Sequence, residues 1–109
     1  MEEISNFISN IKKESIKNQQ ILYFCIDIDI NEFWVEQEKK EEDNEEEMGE
    51  EEEEIEKYQT SFDFLFCKNT DEEKSNGIIK FKVFPDGFIQ PGFIYIHCPE
   101  TNIIWTIFI

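Results

Sequence analysis

Apolar residues recur at helical spacing near the start of the chain and at every second position through most of the rest. Ile4, Phe7, Ile8 and Ile11 fall on one helical face, and Lys12, Lys13, Glu14 and Lys17 occupy much of the other. This pattern predicts an amphipathic helix over residues 3–18. Such a helix is roughly 24 Å long at 1.5 Å per residue. It can lie across about four or five strands spaced about 4.8 Å apart.

From Gln20 the period changes to two. Leu22, Phe24, Ile26, Ile28 and Ile30 would share the core face of a strand, with Tyr23, Cys25, Asp27 and Asp29 on the other. Asn31-Glu32 reads as a turn and Phe33-Trp34-Val35 as a short returning strand. Alternation resumes over residues 59–68, with Phe62, Phe64 and Phe66 toward the core. It returns over 78–84, where Ile79, Phe81 and Val83 oppose Lys80 and Lys82. Phe84-Pro85-Asp86-Gly87 has the chemistry of a tight turn: Pro85 presets φ and Gly87 supplies the left-handed residue. Residues 88–98 continue as strand, and Pro91, which cannot donate to a ladder, implies an edge or a bulge. After a turn at 99–102, residues 103–109 are apolar on both faces, as in a covered central strand. The expected fold is α+β: an N-terminal amphipathic helix packed on one mostly antiparallel sheet.

Charge adds one element to this picture. Residues 36–56 hold 14 acids against Lys39 and Lys40, so they carry most of the chain's formal charge of −16. Glutamates four apart repel on a helix, and so long a connection is unusual in a small domain. The expectation is a long acidic disordered loop within a single domain of 109 residues: helix 1–19, first strands 20–35, loop 36–57, β-rich part 58–109. The chain has no Arg, and that together with its charge disfavours nucleic acid and anionic membrane surfaces. A basic protein is the partner that the loop would attract. No apolar run approaches the roughly 18 residues that span a bilayer, so membrane contact would need an anchor outside this sequence.

Candidate chemistry is sparse. Asp27 and Asp29, two apart on one strand face, would sit roughly 6.6 Å apart along the backbone. That separation suits a carboxylate pair, although a solvent-facing strand edge explains it more simply. His97 and Cys98 are adjacent and would point to opposite faces. Cys25 and Cys67, both expected away from the core, could pair if their strands are neighbours. Within the acidic run, Glu45, Glu46, Glu47, Glu50 and Glu51 form a weak candidate cation loop that lacks the alternating ligands of a defined calcium site. No catalytic residue, cofactor or defined metal site is expected.

Two segments carry a resemblance. In residues 11–27, Ile16, Gln20 and Asp27 agree with a helix-to-strand pattern, while Ile11, Lys12 and Ser15 stand where that pattern has Ala and Arg. Further on come Phe84-Pro85-Asp86-Gly87 and Trp105-Thr106-Ile107-Phe108-Ile109. In this order the chain resembles the pseudopilin H/FimT family of type II secretion and type IV pilus systems. The resemblance implies a pilin-like fold and a non-enzymatic structural subunit of a periplasmic filament, anchored in the bacterial inner membrane by an apolar helix preceding these residues. It also implies contact with other pilin-like subunits through the helix bearing Ile4, Phe7, Ile8 and Ile11, and a structural turn at Pro85, Asp86 and Gly87. A small β-rich adaptor that engages a basic protein through its acidic loop is the alternative.

Overall fold

A computed structural model describes residues 2–38 and 56–109. The expected acidic loop, with the candidate cation residues Glu45, Glu46, Glu47, Glu50 and Glu51, falls largely outside them. Helix α1 (Glu2–Asn18) is followed by β1 (Leu22–Asp27) and β2 (Glu32–Gln37). After the undescribed residues come β3 (Tyr58–Gln59), β4 (Asp63–Asn69), β5 (Glu73–Lys74), β6 (Ile78–Val83), β7 (Gly92–Cys98) and β8 (Ile103–Phe108).

The helix forms where its stripe predicts and buries that stripe: Ile4, Ile8 and Ile11 are buried and Phe7 is half-buried. It packs on β1 and β6. It ends in a Schellman arrangement, with Gln20 N–H donating to Ser15 O and Gln19 N–H to Ile16 O while Gln19 takes a φ of 52°.

The expectation of one sheet needs correction. The strands form two four-stranded sheets, ordered β3-β2-β1-β6 and β5-β4-β7-β8, with every pairing antiparallel. The chain crosses between the sheets three times, from β3 to β4, from β5 to β6 and from β6 to β7, the last crossing coming after the Phe84–Gly87 turn. Gly87 N–H donates to Phe84 O, Gly87 adopts φ 89°, and Ile89 bridges back to Val83. Pro91 then sits just before β7, where the missing donor costs no ladder bond. Phe24 and Phe81 of the first sheet, Ile94 and Ile96 of the second, and the helix stripe share one core.

Three strand readings shift. β1 stops at Asp27, whose carboxylate accepts the Asp29 N–H and opens a turn, so Ile30 is exposed rather than in the core. A bulge between Phe64 and Phe66 inserts one residue in β4. Because side chains alternate, it turns Phe66 to the outer face and sends Cys67 into the core, the reverse of the simple alternation. The third is β8, which is an edge strand and not a covered central one.

Candidate functional site

The titratable residues singled out from the sequence do not converge. Asp27 ends β1, while Asp29 lies in the following turn and accepts the Gly77 N–H. Both carboxylates thus hold backbone. His97 lies on the outer face of the second sheet, its Nε2 2.9 Å from Asn102 Oδ1 and its Nδ1 3.6 Å from Asp63 Oδ2. Cys98 points the other way and packs against the core, as its alternation predicts. Among the described residues no three His, Cys, Asp or Glu side chains are grouped to hold a metal.

Cys25 and Cys67 do not pair. They belong to strands of different sheets, and all three cysteines are free. Burial pushes both thiols up to about 12; at Cys25 the nearby Glu36 carboxylate adds to this, opposed by Lys80 and Lys57. Protonated thiols are weak nucleophiles.

A shallow cleft of about 600 Å³ lies between β6 and the loop after β4, lined in part by Tyr23, Lys80, Lys82, Phe88 and Gln90. Several of its polar groups already have partners, and Lys82 Nζ lies 5.3 Å over the Phe84 ring. Lys80 Nζ is 3.0 Å from Glu36, a hydrogen bond that raises the lysine's pKa. Gln90 donates to Asp71, and Asn69 donates to Lys80 O while accepting from the Asp71 and Glu72 N–H groups.

The feature that alternation alone did not reveal is the outer edge of β8. Ile103, Ile104, Trp105 and Phe108 are 47%, 61%, 48% and 79% exposed. Ile103, Trp105 and Ile107 share the face of Ile94 and Ile96, while Ile104, Thr106 and Phe108 share the opposite face. Helix α1 packs on β1 and β6 of the first sheet, and of the β8 residues it is Ile107 that packs against the core. Ile109 N–H donates to Gly92 O. Antiparallel alternation then aims the N–H and C=O of Ile104, Thr106 and Phe108 away from β7, toward the open edge.

Among the described residues β3 pairs with β2 at Glu32 and Phe33 and β5 with β4 at Cys67 and Lys68, and the strands that end the other edges are short or flanked. β3 and β5 are two residues long, β5 is Glu73–Lys74, and β6 is flanked by the Val83–Ile89 bridge and by the Gln90 N–H bond to Lys82 O. Short length and charge are the usual guards of a sheet edge. Strand β8 has neither; residues 103–109 include no charged side chain. The clue in the sequence was that same two-sided apolar run, which marks two faces needing cover without saying what supplies it.

No family model matches the chain, and comparisons with curated proteins and with solved structures find no match either. Among the described residues no helix is long and apolar enough to cross a membrane.

Proposed function

We propose that this chain is a structural subunit of a larger protein assembly, holding a neighbouring chain along the β8 edge and catalysing no reaction. The observation that carries this reading is the coincidence, on one strand, of exposed apolar side chains on both faces with an unpaired row of backbone donors and acceptors. Strand addition uses both: the backbone supplies hydrogen bonds and the alternate side chains supply apolar contact.

A pilin-like subunit of a periplasmic pseudopilus or type IV pilus-like filament is the narrower form of this proposal. Supporting it are the helix stripe buried on the sheet and the Phe84–Gly87 turn, in the order that the resemblance requires. Buried Ser15 fastens that turn to the helix by donating to Phe84 O at 2.7 Å. The outward helix face, with Ser5, Asn6, Ser9, Asn10 and Lys13 exposed, is polar. In this reading the described residues therefore meet their neighbours through β8 rather than through α1.

The test is size fractionation of the native protein beside an Ile104→Lys/Phe108→Lys variant. The native chain should run in a complex heavier than 13.1 kDa, and the variant should leave that complex while keeping its far-UV circular dichroism. A variant that stays in the complex removes the proposal. The narrower form also needs an apolar helix of about 20 residues ahead of α1. Mass spectrometry of the native N-terminus reads this directly, and a native chain lacking such a helix would leave only the broader form.

A further inference from the structure

We infer that the β8 edge takes a second copy of this chain, pairing β8 with β8 antiparallel about a two-fold axis to join two four-stranded sheets into one of eight strands. This rests on the reading of β8 as the assembly edge and names its occupant.

The register follows from the backbone. A two-fold axis perpendicular to a sheet pairs antiparallel strands and keeps each face on its own side, so paired residues have numbers of the same parity. The outward-facing backbone groups belong to Ile104, Thr106 and Phe108. The register that satisfies all three sets Thr106 opposite Thr106 of the second copy and Ile104 opposite its Phe108. On the other face Trp105 then meets the second copy's Ile107, and Ile103 meets its Ile109. Each exposed apolar side chain of β8 finds an apolar neighbour, with no charged residue between positions 103 and 109.

The apolar area at this edge is modest. Ile103, Ile104, Trp105 and Phe108 present on the order of 450 Å² at their observed exposures, taking about 200 Å² for a whole large apolar side chain. Edge pairing covers the flanks of these side chains and the backbone edge while both sheet faces stay open to solvent, so the contact is smaller than the roughly 1,200 Å² of a standard stable interface and the dimer should be concentration-dependent. The contact is isologous, each copy using its own β8 edge, so it closes at two copies and a filament would need a further contact. Self-repulsion of two acidic chains opposes it, and salt screens that repulsion.

Sedimentation equilibrium of the full chain tests the inference. The expected result is a mass twice 13.1 kDa, with association strengthened by added salt and weakened about tenfold or more by Ile104→Lys/Phe108→Lys, since edge lysines block strand pairing. A Thr106→Cys variant places two thiols across the axis. A hydrogen-bonded pair there sets the Cα atoms about 5.5 Å apart, within disulfide range, so oxidised glutathione should link the copies faster than it links a Ser61→Cys control. A monomer at every concentration, a dimer indifferent to the two lysines, or equal linking of the two cysteine variants would overturn it. If the chain is monomeric and the lysines still release it from its native complex, the second copy is wrong and the assembly reading stands. If they release nothing, both fall.

Discussion

Single residues decide where the two sheets can meet. A Cβ at Gly92 would lie 1.9 Å from Lys68 O and 2.9 Å from Phe81 Cε2, so main chain itself blocks any side chain there. Gly77 is the contrast: its φ is 78°, but a Cβ would meet nothing within 4 Å. Gly92→Ala should therefore cost about 3 kcal/mol, the upper end of overpacking penalties. Gly77→Ala should cost only the left-handed backbone term of about 1–2 kcal/mol. Urea unfolding of both variants checks the order, and equal losses would contradict it.

The buried thiols give a pH dependence. Unfolded, Cys25 and Cys67 ionise near 9.0; folded, burial holds them protonated to about 12. Between those values the unfolded chain binds fewer protons, so their contribution is fully present below pH 9 and declines as pH rises toward 12. The urea midpoint should fall from pH 9 upward, and a Cys25→Ala/Cys67→Ala variant, less stable overall, should show a shallower decline. Neither cysteine's depth was legible in full. Cys25 sits on the face opposite the helix yet is buried beside Trp34, over whose ring Lys57 lies at 4.5 Å. The bulge before Cys67 carries no signal in residue type.

At the scale of elements, helix and hairpins were legible because each has a local cause. The stripe of α1 repeats at the helical period, and the β1–β2 and β6–Ile89 reversals carry turn residues. The limits of β1 and β4 were not legible, since the turn that Asp27 opens locally is also held by Gly77, which accepts the Ile28 N–H and donates to Asp29, and the bulge at Leu65 depends on a distant partner. Asn31 shows how: at φ 56° its Oδ1 accepts the Phe64 N–H and its Nδ2 donates to Asp63, tying the first hairpin to the second sheet. Two substitutions test the ends of α1's packing. Ser15→Ala removes one of the two donors to Phe84 O, which keeps the Gly87 N–H, and should cost about 1 kcal/mol. Gln19→Gly relieves a side chain held at φ 52° and should stabilise by up to about 1 kcal/mol. Thermal melts that move both variants the same way would contradict this account of the helix end.

Over the whole molecule, the apolar pattern was read correctly in kind and wrongly in place. A strand apolar on both faces fits a sheet interior only if the same chain covers it. Here helix α1 packs on β1 and β6 of the first sheet, while β8 lies at the edge of the second. Alternation along a strand records which faces need cover and is silent on whether another chain provides it.

Amide hydrogen exchange on the full chain, read residue by residue as concentration rises, tests this most directly. If β8 is an assembly edge, the N–H groups of Ile104, Thr106 and Phe108 gain protection with concentration, while those of Ile103, Trp105 and Ile107, already bonded to β7, change little. Rapid exchange at Ile104, Thr106 and Phe108 in the dilute chain and in its assembled state alike would contradict it.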